Sequence, residues 1–313
     1  MGILVDNGPG PNFRQTDKPS EVGQGNVWYN PTSNRTSMAD GVDYWGMIPV
    51  GVAGYISDGG GLSSIDKMLF SIESISSISS NIGSAGGHGG AVHASTAGYV
   101  MGTYYGNNGV WKVTFSTDAT SSVATMVLGG ARTSTCESGL AGYSGGTTQI
   151  QKLLFSGEAI SSITSTMGAN HEDGGAVQAN YIYGYFFSGQ TSGTYLDRLT
   201  FSSEVITSTA NGLGRDSYRA TESSSAGYGF GYTSAVVDKL LFSTEVWSVL
   251  VSTLAAAIED AAGMASSSRG YCCGGVGAAT TANRITFSSD SIASISSVLS
   301  ASRVGPSAFE NPN

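Results

Sequence analysis

Ile65-Asp66-Lys67-Met68-Leu69-Phe70-Ser71-Ile72-Glu73 is the stretch on which the fold turns. A base stands three residues before Phe70 and an acid three residues after it. The arrangement returns five times, at Phe115, Phe155, Phe201, Phe242 and Phe287. The bases are Lys67, Lys112, Lys152, Arg198, Lys239 and Arg284; the acids are Glu73, Asp118, Glu158, Glu204, Glu245 and Asp290. From residue 51 onward the chain has 11 bases, so more than half of them occupy this one position. Scattered surface charge would not do that. These are structural charges, used once per unit, with each acid capping a turn or pairing with a nearby base.

Working outward, a Gly-Tyr pair keeps the same step. Its tyrosines are Tyr55, Tyr99, Tyr143, Tyr185, Tyr228 and Tyr271, spaced 44, 44, 42, 43 and 43 residues apart. Within a unit the signals are β. The run ending at Phe70 reads as a strand, and a Ser-x-acid turn follows. A Ser/Ile alternation comes next, as at Ile75-Ser76-Ser77-Ile78, whose β-branched residues favour a strand. A Gly-rich loop such as Gly86-Gly87-His88-Gly89-Gly90 and a small-residue segment then lead into the next Gly-Tyr. Val246 to Ala262 has helical propensity, but the repeat assigns it to strand and loop.

Four short strands in about 43 residues, repeated six times, predict an all-β, six-bladed β-propeller over residues 47–313. A lone blade cannot cover either face. A closed ring of blades buries both and leaves only short edges. Gly beside Tyr suits a crowded inner strand, with Tyr packed between blades. A solenoid is the alternative, but no capping units are evident. The last unit stops near its outer strand, so the chain ends should meet between the sixth and first blades. Met47 to Val52 should lie near Ser302 to Phe309, and either end could close the ring; Pro49 would confine its own segment to a sheet edge.

Composition narrows the function classes. The 313 residues include 45 Gly, only 12% are charged, and the net charge is −9. That balance argues against a nucleic-acid partner, which needs clustered bases. Three cysteines cannot make a disulfide framework and suit a reducing compartment. No stretch reads as a signal peptide or membrane helix, so synthesis in the cytoplasm and no membrane partner are expected.

The search for chemistry finds no catalytic set. His88, His93 and His171 read as exposed loop residues, and neither a metal nor another cofactor is expected. A glycosidase needs two carboxylates across one cleft, whereas the recurrent acids are spread over all units. Gly142-Tyr143-Ser144-Gly145-Gly146 matches a nucleophile elbow by letter, but it sits on a Gly-Tyr strand rather than a strand-to-helix turn. Tyr104, Tyr105, Phe186 and Phe187 are candidate ligand-binding aromatics, able to stack on a sugar or anchor a partner; ordinary inter-blade packing competes as an explanation.

Residues 1–46 stand outside the repeat. Their turn-rich sequence carries two aromatic clusters and predicts a small hairpin or an extended N-terminal arm, ordered by docking. The pattern Gly25-x-x-Trp28-Tyr29-Asn30, then Asp40-Gly41-x-x-x-Trp45, resembles a short module of bacteriophage tail-fibre and other virion proteins. The repeats, with cores such as Asp238-Lys239-Leu240-Leu241-Phe242-Ser243-Thr244-Glu245, resemble kelch-like repeats of phage and bacterial surface proteins. The resemblance implies a non-enzymatic virion structural protein, an appendage of tail, neck or capsid. Trp28, Tyr29, Tyr44 and Trp45 would anchor it to other virion proteins, and the propeller would meet a host-surface glycan or protein. A homo-oligomer fits such an appendage. The alternatives are a carbohydrate-active propeller enzyme and a bacterial surface adhesin.

Overall fold

The computed structural model describes residues 27–30, 35–39, 44–46, 52–83, 87–102, 108–127, 132–189, 195–211, 218–231 and 234–312. Six four-stranded antiparallel sheets account for the repeats. Their first strands touch one another in succession, and the last touches the first. The ring is therefore closed, and the chain is a six-bladed propeller rather than a solenoid. The innermost strands are Ser307–Asn311 in blade 1, then Gly90–His93, Ser134–Glu137, Gly175–Ala179, Tyr218–Glu222 and Ala262–Ala265 in blades 2 to 6. The small-residue segment is thus nearest the axis, and the Gly-Tyr strand lies second. The stretch with helical propensity forms strand Val246–Val249, loop and bridges, as the repeat required.

Closure uses the C-terminal end. Ser307–Asn311 pairs with Ala53–Ser57, placing Phe309 opposite Tyr55. Val52 N–H also donates to the Asn311 carbonyl at 3.0 Å. The predicted meeting of the ends is therefore observed at Val52, while residues 47–51 lie outside the described residues.

One packing unit explains the repeated letters. The Gly of each Gly-Tyr pair is a hole for a side chain from the preceding blade's inner strand. A Cβ on Gly98 would sit 2.0 Å from the Phe309 ring, and one on Gly142 would sit 2.4 Å from Val92. The neighbouring Tyr reaches the other way in register. Tyr55, Tyr99, Tyr143, Tyr185, Tyr228 and Tyr271 each stack on the Phe of the following blade, with centroids 5.1–5.5 Å apart. Such ring pairs add about 0.5–1.5 kcal/mol beyond their burial.

Each Tyr hydroxyl then donates to the acid of that following blade, which also takes the base of the Tyr's own blade. Tyr228 Oη and Lys239 Nζ both reach Asp290, at 2.9 Å and 2.7 Å. Tyr271 and Arg284 reach Glu73, which carries the staple across the seam from blade 6 to blade 1. The six acids were expected to cap turns or pair with a base, and the structure shows the pairing. All six take left-handed φ values of 52–54° in the turn after Phe, a conformation uncommon for residues other than Gly.

A further repeated position, four residues before Phe, tethers the crossover from the previous blade. Asp66, Gln151, Asp197 and Asn283 accept backbone N–H bonds from Ser300, Val127, Gly168 and Ala255. Among the described residues this anchor is a carboxylate with a fully buried partner at Asp66, which holds Arg303, and at Asp197, which holds His171.

Residues Val27–Asn30, Arg35–Ala39 and Tyr44–Gly46 form a three-stranded antiparallel sheet. The hairpin expectation for this region therefore extends to a third strand.

Candidate functional site

Six inner strands run in the same sense along the axis. Residues just before them gather at one mouth of the channel, and residues that end them gather at the other. The channel is narrow, with about 70 Å³ of free space, room for a few waters. Its middle is lined by small residues such as Ala91, Thr135, Ala176, Ala220, Gly263 and Ala308.

The first mouth is laced by backbone. Gly305 N–H donates to the Asp260 carbonyl, His88 N–H to Gly305, Thr133 N–H to His88, and Asp173 N–H to Arg132, at 2.6–3.2 Å. These links join successive blades from blade 6 through blade 4. They need a left-handed residue before each strand, and His88, Arg132, Asp173, Asp260 and Gly305 all have φ between 53° and 65°. The side chains of His88, Arg132, Asp173 and Asp260 gather there in a common cluster.

In that cluster His88 Nδ1 is 3.4 Å from Asp260 Oδ1 and 3.7 Å from Asp173 Oδ1. The ligand-type atoms of His88, Asp173 and Asp260 all lie within 4.8 Å of one another. Arg132 binds the other oxygen of Asp173, and Arg219 Nη2 lies 3.9 Å from both carboxylates. Burial opposes the Asp260 charge, but His88, Arg219 and Arg132 outweigh it and hold the carboxyl below its usual range.

Donor types and spacing fit a divalent cation, for which one imidazole and two carboxylates are suitable ligands. Charge sets a condition. Two carboxylates are already balanced by two guanidiniums, so a cation entering here must displace an arginine from a carboxylate. The same groups suit a neutral hydroxyl-rich ligand, with Asp accepting and Arg donating.

The structure redistributes the residues singled out from sequence. The histidines are not exposed loop residues. His171 is fully buried, with Nδ1 2.6 Å from the Ser188 carbonyl and Nε2 2.7 Å from Asp197. Burial works against the Asp197 charge, yet bonds from His171, Ser208 and Gly168 lower its pKa overall. His93 lies at the other end of the channel, and His88 at the mouth just described. Phe186 and Phe187 are fully buried between blades and present no surface to a ligand; the packing explanation accounts for both. Tyr104 and Tyr105 lie outside the described residues. Trp28 and Tyr29 fall on the first strand of the N-terminal sheet, and Tyr44 and Trp45 on its third; their side chains are outside the described residues. Ser144 is buried within strand Ala141–Gly145, so the elbow match is a coincidence of letters.

The mouth cluster escaped sequence reading, although a signal exists. His88, Asp173, Arg219 and Asp260 each stand 18 residues after the Phe of the preceding repeat. Residue type alone does not bring these together, whereas the count from Phe places Asp173 in step with His88. Neither family models nor curated proteins give a match to this chain.

Proposed function

We propose that the protein is a carbohydrate-active propeller whose working site is the axial mouth. The observation that supports this over a passive scaffold is the convergence of His88, Asp173 and Asp260 from three blades within 4.8 Å. Ring closure does not need it, because the recurrent staples and holes already join every blade to the next. Asp260, held ionised, accepts from a sugar hydroxyl; Arg219 donates to a ring or glycosidic oxygen; His88 between the two carboxylates moves a proton. A divalent cation held by His88, Asp173 and Asp260 would supply Lewis-acid polarisation of a bound oxygen.

The test is a glycan panel incubated with the protein, with and without added Mn²⁺ or Zn²⁺, read by product release and by binding. Turnover that Asp260→Asn abolishes supports the reading. Binding without turnover replaces it with adhesion, and neither binding nor turnover overturns it.

A second reading, a virion appendage that attaches to a host surface, is favoured by the N-terminal pattern around Trp28 and Trp45. It expects this chain in purified particles, where an antibody to it would label an appendage. Particles lacking the chain would exclude it. Its partners would then be other virion proteins, bound through residues 1–46.

A further inference from the structure

The opposite end of the channel carries a second ring, built by the residue one place beyond the partner of each Gly-Tyr tyrosine. Register puts His93, Glu137, Gln178, Glu222, Ala265 and Glu310 there, from blades 2 through 6 and then 1. Each pairs with a Gly, so their side chains share one face of their strands and one level on the axis. His93 Nδ1 stands 3.4 Å from Glu137 and 3.2 Å from Glu310. Glu310 also accepts the Ala265 N–H at 2.5 Å, and Gln178 bonds to Glu222. Of the groups facing this ring, three are carboxyls and one is an imidazole, while Gln178 and Ala265 are uncharged. The Cys136 thiol lies beside Glu137 and Glu222, and burial holds it neutral. No inner strand brings a Lys or Arg to this level.

Three carboxylates facing one another in a narrow channel cannot all ionise at low cost. We propose that His93, Glu137, Glu222 and Glu310 form a proton-linked clasp on the propeller axis, which holds the inner strands together when loaded and loosens when emptied. Each of these four residues comes from a different blade, so a proton lost here weakens contacts between blades rather than within one. The clasp is independent of the axial mouth and stands or falls without it.

The direction of its effect follows from burial. Desolvation pushes the Glu137 carboxyl up to about 7, with Glu310 adding to the rise and His93 opposing it. Desolvation, then Glu310 and Glu137, likewise holds Glu222 well above its usual range. The folded ring keeps protons that the unfolded chain has released. Its contribution is complete below the ordinary glutamate value and is lost as pH rises through about 7.

Thermal unfolding of the full chain between pH 5 and pH 8 tests this, comparing the wild type with the Glu137→Gln/Glu222→Gln variant. The wild-type Tm should fall by about 5 °C more than the variant's across that window. Parallel profiles overturn the clasp. Should the variant fail to fold, hydrogen exchange of the wild type decides. Amides of Ser134–Glu137 and Tyr218–Glu222 should lose protection at pH 8 relative to pH 6, after correction for intrinsic exchange, while outer strands change less. Equal changes in inner and outer strands overturn it too.

Discussion

Two of the sets of charged residues that join the blades, the staples and the axial mouth, are built on opposite principles. In the staples one base, one acid and one tyrosine recur in all six blades with the same partners. At the axial mouth, places equivalent in the repeat hold different residues: His88, Arg132, Asp173, Asp260 and Gly305. The staple is partly exposed, as at Lys67 and Asp118 with 23% and 31% of their side chains accessible. The mouth is more enclosed, with Asp173 at 3%. Where every copy keeps a residue, the ring's geometry demands it. Where equivalent places diverge yet converge in space, the residues are available for a task done once per molecule.

This contrast ranks the substitutions. The largest loss should come from Phe309→Ala, because Phe309 combines three structural tasks. It lies on the closing strand, fills the hole at Gly98 and stacks on Tyr55 at 5.3 Å. Truncating such a buried ring costs about 3–5 kcal/mol, readable as a lower urea midpoint. An unchanged midpoint would mean that the seam is not closed by this strand.

Next comes the staple at Glu204, which accepts from Tyr143 and Lys152 of the preceding blade. Glu204→Ala leaves both donors without their acceptor and should cost about 1–3 kcal/mol, toward the lower end because water reaches the pair. Glu204→Gly removes the same carboxylate but relieves the left-handed backbone at φ 54°. It should be roughly 1 kcal/mol more stable than the alanine variant. If the two variants unfold alike, backbone strain at this repeated turn is not a cost that the staple offsets.

These differences also explain what could be read from the chain. Six-fold recurrence of Lys-x-x-Phe-x-x-Glu-type spacing makes a propeller legible, because a ring multiplies one packing solution and each copy confirms the others. The hole at each Gly-Tyr glycine was legible as a close approach, though not its occupant: Val92, Thr221 and Phe309 share a place in the ring without sharing chemistry. The Gly-Tyr strand is an inner one, second from the axis, and the small-residue strand is first; periodicity alone does not rank the two. The mouth was not legible from residue type. His88 and Asp173 are brought together only by closure, and the shared count from Phe is diluted by loops of unequal length. Arg132, for instance, falls one place short of the 18-residue offset. His171 failed for the opposite reason. It looks like a loop histidine, but it substitutes for Arg303 at an equivalent anchoring position and is buried on Asp197.

The smallest stability effect, and the most informative, belongs to His88→Asn. Asn tolerates the left-handed backbone that His88 adopts at φ 59°, so the lacing of the mouth through the His88 N–H and carbonyl is kept. What disappears is the imidazole between Asp173 and Asp260. Unfolding should shift by no more than about 1 kcal/mol, the range of surface-like changes, because the arginines still balance the two carboxylates. Carbohydrate binding or turnover should fall at least about tenfold, equivalent to about 1.4 kcal/mol of lost interaction with ligand or transition state. A variant with full activity would place the working site elsewhere on the propeller. A variant that unfolds like Phe309→Ala would make His88 a structural residue, and the distinction between recurrent and divergent positions would no longer separate scaffold from site.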